Sequence, residues 1–423
     1  MSESLHDSSA LIEKPENLAP EKKRKQSAAE ELPNCKKSRN TLSLNEVINL
    51  GIPHVGELIF ESIDTPGLIN CLEVSETWTV LAEKVLIKRC KGKMFEACKN
   101  GYTKVVQLLL ERCNSTESGL DIQGEHGITA LMVACKHGHK DVVQILIDHS
   151  SSQNIDLNHR NSLPRPRPFD DHPDDPFFKI FEDPQKTAFI MACENGHKDV
   201  VRLLLDHSDR IDLDAKDCWE NTALILACQN GHKDVVKLLL NYSNRIDLNA
   251  KDNFGRTALM FASLRGHEDV VRLLLNHSDR LELNAKSNRL GKTAFMFACT
   301  NGHKDIVKVL LNYSERIDLN ARENRGMTAL MVACKIGHKD VVKVLLNYPE
   351  RIDLNAKEER GMTALMFASL CGHKDVVKVL LNYSKIIDLN ARDNFGLTAL
   401  MMAIDQRHQD IIQLIKPILR IYY

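Results

Sequence analysis

The chain has 423 residues, of which 43% are hydrophobic, 27% charged and 5% aromatic. Lys plus Arg number 56 and Asp plus Glu 57, giving a net charge of −1, which excludes a generally basic protein that coats phosphates. The composition is neither that of a disordered chain nor that of a collagen-like or β-sandwich-like one. No apolar run approaches the ~18 residues of a membrane span. The opening MSESLHDSSALIEKPEN has no apolar signal core, so secretion is not expected. The 12 Cys are then expected to stay reduced.

Residues 1–45 are polar and rich in Ser, Glu, Lys and Pro, and are expected to be disordered. Their positive charges form two clusters, Lys22, Lys23, Arg24, Lys25 and then Lys36, Lys37, Arg39. The spacing resembles a bipartite nuclear import signal, which implies an import receptor as a partner and a location in the nucleus, the cytoplasm or both. The alternative is a solvated charge run.

Residues 46–90 read as a small helical module. Val55, Leu58, Ile59 and Ile63 fit one helix face. Pro66 opens a second helix that carries Leu68, Ile69 and Leu72. Val74, Trp78 and Leu81 fit a third. A piece this short cannot build a large core, so its apolar surface must bury on a neighbour or a partner. The stretch Ile52, Pro53, Leu58, Ile59, Phe60, Ile63, Leu68, Cys71, Val74, Trp78 resembles an F-box. The resemblance implies that Pro53, Leu58, Ile59, Ile63, Leu68, Val74 and Trp78 bind the Skp-type adaptor of a cullin–RING ubiquitin ligase. Gly56 departs from the pattern and costs its helix about 1 kcal/mol. The alternative is a helical cap on the C-terminal remainder of the chain.

From residue 91 to 423 the chain repeats itself. Thr-Ala-Leu/Phe recurs with Thr at 129, 187, 222, 257, 293, 328, 363 and 398, mostly 35 residues apart. A degenerate unit at Met94–Glu111 precedes these eight, so about nine units are expected. In each, Thr caps a short apolar helix, Gly closes it, a K-D-V-V-K-x-L-L helix comes next, and R-I-D-L-N-A-K-D-N-F-G forms a hairpin-like finger. One unit cannot bury its stripe alone, so the units must stack into a solenoid.

The pattern T-A-L-M…A-C-x-x-G-H-x-D-V-V-x-L-L-L…D-L-N-A resembles the ankyrin repeat. It departs in having Ala and Met where the family has Pro and His. Its period is also longer than the family's ~33 residues, through residues added after the second helix. Arg407 stands where Gly is expected, and the last unit ends in an apolar tail. The implied fold is all-α, a solenoid of helix pairs with fingers, preceded by the F-box-like module and the tail. The family implies a target protein held on the concave face. Between the second and third units, residues 161–183 form a Pro-rich, acidic insertion, an expected surface loop containing Phe177, Phe178 and Phe181.

Several recurrent residues imitate chemistry. His139, His197, His232, His267, His303, His338 and His373 share one register. A solenoid spaces them about 10 Å apart, too far to converge on one metal ion. Cys98, Cys135, Cys193, Cys228, Cys299 and Cys334 share another, where Ser263 and Ser369 substitute, so a small buried residue is expected rather than a disulfide. No nucleotide-loop, zinc or nucleophile motif is present, so no catalytic, metal or cofactor residue is assigned. Arg210, Arg245, Arg280, Arg316 and Arg351 beside Asp212, Asp247, Glu282, Asp318 and Asp353 read as a neutral solvated edge, not a nucleic-acid track.

Partner choice should lie where the units vary on a fixed frame. Three residues before each Thr, at the expected finger tips, stand His126, Pro184, Trp219, Phe254, Leu290, Arg325, Arg360 and Phe395. Trp219, Phe254, Leu290, Arg325, Arg360 and Phe395 are the candidate partner contacts; the alternative is that each merely covers the next finger. Asn249, Asn284, Asn320, Asn355 and Asn390 are expected to bond their local turns. The resemblance also makes them possible targets of an oxygen-dependent asparaginyl hydroxylase. Together these readings describe a non-catalytic substrate receptor of an SCF-type (Skp–cullin–F-box) ligase, or alternatively an ankyrin scaffold with no ligase link.

Overall fold

A computed structural model describes residues 63, 67–68, 79–82, 84–85, 94–113, 127–153, 156–162 and 185–421. All of these fall in one compact unit, residues 60–423. The two basic clusters, Pro53, Leu58, Ile59, Val74, Trp78 and nearly all of the 161–183 insertion lie outside the described residues.

From residue 94 onward the described chain is a run of helix pairs. They are α1 (Met94–Asn100) and α2 (Thr103–Cys113), α3 (Ala130–His137) and α4 (Lys140–Gln153), α5 (Ala188–Glu194) and α6 (Lys198–Asp206). Then come α7 (Ala223–Gln229) and α8 (Lys233–Leu240), α9 (Ala258–Arg265) and α10 (Glu268–Leu275), α11 (Ala294–Thr300) and α12 (Lys304–Leu311). The last are α13 (Ala329–Ile336) and α14 (Lys339–Leu345), α15 (Ala364–Leu370) and α16 (Lys374–Leu381), α17 (Ala399–Asp405) and α18 (Gln409–Ile421). Each odd helix packs on the next odd one, each even helix on the next even one, and each pair on itself. This is the two-layer stack that the 35-residue period requires.

Local chemistry sets the helix ends. In the eight units that begin with it, the Thr hydroxyl accepts the backbone N–H three residues on, as at Thr222 with Ile225. At Thr129, Thr328 and Thr363 the N–H of the Thr itself meets the sulfur of Met132, Met331 and Met366 at 3.4–3.5 Å. Methionine thus completes a reciprocal cap where the family pattern places histidine. A left-handed residue then turns the chain into the second helix. Gly231 has φ 74°, and Arg407 takes φ 59° at the same place in the last unit.

The His register joins successive units. Each His donates from Nε2 to a carbonyl of the preceding unit: His232 to Glu194 (2.8 Å), His267 to Gln229 (3.0 Å), His373 to Lys335 (2.9 Å). His408 does the same to Leu370 at 3.2 Å and extends the row to the last unit. The ring lies over the preceding unit's Gly: a Cβ on Gly231 would sit 2.5 Å from Nδ1 of His267. The six Cys of the shared register are buried and free, and Ser263 and Ser369 are buried in the same place.

The long period has a visible cause. After α8 the N–H groups of Tyr242, Ser243 and Arg245 bond to the carbonyls of Leu239, Leu240 and Tyr242. The chain therefore makes further turns before Ile246 returns to the core. α18 continues through Pro417 and buries Ile411 and Ile415 completely. The terminal side of the last unit keeps Phe395, Leu397, Met401 and Ile404 exposed.

Candidate functional site: the finger-tip row

Each finger is a tight hairpin closed by one side chain. In the fourth unit, Asp252 N–H bonds to Arg256 O (3.0 Å), and Gly255 N–H to Asp252 O (2.9 Å). The Asp252 carboxylate accepts the N–H of Phe254 at 3.0 Å and of Arg256 at 2.7 Å. Asp217, Glu323, Glu358 and Asp393 fill the same position. In the fifth unit Ser287 does so with its hydroxyl, and Ser287 N–H pairs with Lys292 O one residue further away. That extra residue lies in the hairpin and accounts for the single 36-residue spacing.

The structure places Trp219, Phe254, Leu290, Arg325, Arg360 and Phe395 in these turns, one per finger. Phe254, Leu290 and Phe395 are 37%, 44% and 79% exposed. Arg325 and Arg360 are exposed, and Trp219 is half-buried. Backbone bonds tie the tips into a row: Asn253 N–H to Trp219 O (2.9 Å), Asn288 to Phe254 (2.7 Å), Asn324 to Leu290 (3.1 Å), Asn394 to Arg360 (2.9 Å). The tip backbones are therefore committed to one another, and the side chains carry the variation from finger to finger. At the insertion, Asn161 N–H bonds to Lys186 O and Gln185 N–H to Asn161 O, the same hairpin closure. The described residues on either side of the insertion thus meet in a finger closure.

Beside the tips stands a set that sequence patterning did not single out. The residue just before each Thr faces the first helices, and three of these are cations: Lys186, Arg256 and Lys292. The Arg256 guanidinium lies 4.8 Å from the Phe254 ring centre and 4.4 Å from that of Phe261, with Asp252 at 2.7 Å. Lys292 lies 5.9 Å from Phe297, and Lys335 5.7 Å from Phe367. Burial holds the Lys292 ammonium below its usual range, against the opposing pull of Glu323. Burial also pushes the Asp217 carboxyl up, opposed first by hydrogen bonds from Asn221. The sequence signal was the Lys/Arg column immediately before the Thr column, next to the Phe of the following helix.

One expectation is corrected. The finger Asn side chains do not bond their local turns; Asp two residues earlier does that, as Asp247 accepts Asn249 N–H at 2.9 Å. Each Asn instead clamps the next unit. Asn249 donates to Arg280 O (2.8 Å) and accepts Glu282 N–H (2.8 Å), and Asn284, Asn320 and Asn355 repeat both bonds. Among the described residues Asn390 has no following finger to clamp. The edge that carries the Arg and Asp columns is solvated, with Arg245, Asp247, Arg316 and Asp318 all exposed. Arg245 reaches back to Ser208 O (2.7 Å) and its hydroxyl, and Arg351 to Ser314 and Glu315. Neutrality on the outer helices comes from Lys–Asp pairs between units, Lys233–Asp269 (2.9 Å) and Lys339–Asp375 (3.1 Å) among them.

Of the F-box-like set, two members are described: Leu68 is fully buried and Ile63 half-buried. Among the described residues no cluster of His, Cys, Asp and Glu could hold a metal ion. No helix described is long and apolar enough to cross a membrane. A family profile described as ankyrin repeats (three copies) matches residues 94–164, 172–252, 210–287, 244–323, 280–358 and 350–418. A comparison with curated proteins finds no match.

Proposed function

The chain belongs to the ankyrin-repeat family, whose stacked units bind proteins, and on that premise we propose that it is a non-catalytic substrate receptor of an SCF-type ubiquitin ligase. In this reading the tip row and concave face hold a target protein. Pro53, Leu58, Ile59, Ile63, Leu68, Val74 and Trp78 dock the Skp-type adaptor. The observation that carries the target-binding half is the row of exposed tips, fixed by backbone bonds to a rigid stack. The ligase half rests on the F-box resemblance. Pulldown with a Skp-type adaptor tests it: wild type binds, Pro53→Ala with Leu58→Ala does not, and failure of wild type to bind ends the ligase reading. Alanine at Trp219, Phe254, Arg325 and Arg360 together should abolish target capture with folding unchanged.

A second reading, a scaffold without a ligase link, is favoured by one observation. Leu68, Ala82 and Val85 are buried within the unit that contains the solenoid, as expected of a helical cap. The two basic clusters are read as an import signal, so a fluorescent fusion of residues 1–45 should concentrate in nuclei. If the finger Asn are hydroxylated, Asn390 is the first expected site, because among the described residues its side chain makes neither of the bridges that Asn249, Asn284, Asn320 and Asn355 make. Tandem mass spectrometry after co-expression with the hydroxylase should place the added oxygen there.

A further inference from the structure

The fingers of the fifth, sixth and seventh units differ in charge from the chain as a whole. Residues 286–292, 322–327 and 357–362 hold seven Lys or Arg against three carboxylates, in a chain whose net charge is −1. Two of the three carboxylates are turned inward. Glu323 and Glu358 are 7% and 9% exposed, and both accept backbone N–H groups of their own turns. Glu359 alone faces solvent. Lys286 donates to Arg322 O (2.8 Å), Arg322 to Gly326 O (3.0 Å) and Lys357 to Arg392 O (2.9 Å), so these three are engaged by neutral carbonyls. Arg325 and Arg360 are exposed, and it is their backbone N–H groups, not their guanidinium groups, that bond to Glu323 and Glu358.

We propose that this stretch of the tip row binds an extended, acidic segment of a partner protein, with apolar residues on either side of the acidic centre. The inference rests on the tip row being the binding face. The order of tips reads Phe254, Leu290, Arg325, Arg360, Phe395: apolar, apolar, cationic, cationic, apolar. Successive units stack about 10 Å apart. An extended peptide advances about 3.3 Å per residue, so every third residue of the partner meets a new tip. The matching segment carries acidic side chains three residues apart over Arg325 and Arg360. Apolar side chains at the same interval meet Leu290, Phe254 and Phe395. A carboxylate there gains the guanidinium partners that the chain's own inward-turned carboxylates leave free.

The test uses the purified full chain and fluorescein-labelled synthetic peptides. The probe is Phe-x-x-Leu-x-x-Glu-x-x-Glu-x-x-Leu, with Gly and Ser at x, made in both directions. Controls carry Gln or Lys in place of both Glu, and a single-stranded poly-uridine oligonucleotide is the nucleic-acid arm. The Glu peptide should bind about tenfold more tightly than the Gln peptide and lose that advantage in high salt. Arg325→Glu with Arg360→Glu should reverse the preference toward the Lys peptide, with an unchanged thermal melt. Equal binding of Glu and Gln peptides, no reversal in the double variant, or no peptide binding at about 1 mM overturns the proposal. Tighter binding of the oligonucleotide overturns it in favour of a polyanion site. If a neutral peptide binds and is released by Trp219→Ala with Phe254→Ala, the acidic partner is refuted while protein binding by the tips stands.

Discussion

Asp214 stands in the Asn register and shows what the clamp requires. It accepts Asp247 N–H at 3.0 Å, but an ionised carboxylate has no hydrogen for the Arg245 carbonyl, the place where its counterparts donate. Its pKa is raised, by burial first, with Asp247 and Asp212 adding repulsion. A carboxyl with a raised folded-state pKa binds its proton more tightly in the folded chain. Its contribution to stability is complete below the unfolded pKa and is lost as pH rises through the folded one. Asp214→Asn should therefore stabilise the chain by about 1 kcal/mol at neutral pH, with the gain vanishing in acid. Urea melts at about pH 7 and about pH 3 check both the sign and the window. Ser263 and Ser369 offer a second case. Their hydroxyls are buried without a hydrogen-bond partner where six other units use Cys. Ser263→Cys should add about 1 kcal/mol by removing an uncompensated desolvation, measured by denaturant midpoint.

The helix pair is joined to its neighbour by the Gly–His contact, and the two residues act as a unit. Gly231→Ala must place a Cβ at positive φ and 2.5 Å from the His267 ring, so a loss of at least about 2 kcal/mol is expected. In a His267→Ala background the steric part disappears and the backbone part remains. A double-mutant cycle should show this coupling, and additive losses would refute the contact's role. The finger, by contrast, is closed by its own Asp, Glu or Ser and only then linked to the next. That separation lets the tip residue vary without cost to the hairpin, which suits it to partner selection.

At the scale of the molecule, the buried Cys row reports on cooperativity. Desolvation pushes the Cys98 thiol up to about 12 and raises the other five further. None should react at neutral pH until its unit opens. Cys371 is exposed and should be alkylated in the native state. Because each unit contacts only its neighbours, opening should be easier near an end, so Cys98 should label before Cys228 in mild denaturant. Peptide mass spectrometry against time reads the order, and simultaneous labelling would mean that the stack unfolds as one.

How much was legible depends on the range of each interaction. The Thr caps, the Gly turns, the apolar stripes and the number of units depend on residues a few positions apart and repeat with the period, so the sequence by itself determined them. It also placed the tip residues, because hairpin turns are local. The roles of His and Asn are different. His267 and Asn249 bond groups 38 and 31 residues away, and no local pattern states which carbonyl a side chain will meet. The edge of Arg and Asp was legible as a solvated one, but not that Asp247 would cap its own turn while Arg245 reaches back one unit. Likewise the excess of cations in these fingers can be counted in the sequence, but only folding turns Glu323 and Glu358 inward while leaving Arg325 and Arg360 in solvent. Tertiary structure decided these points because stacking sets which groups lose water, and burial determines which charges remain available to a partner.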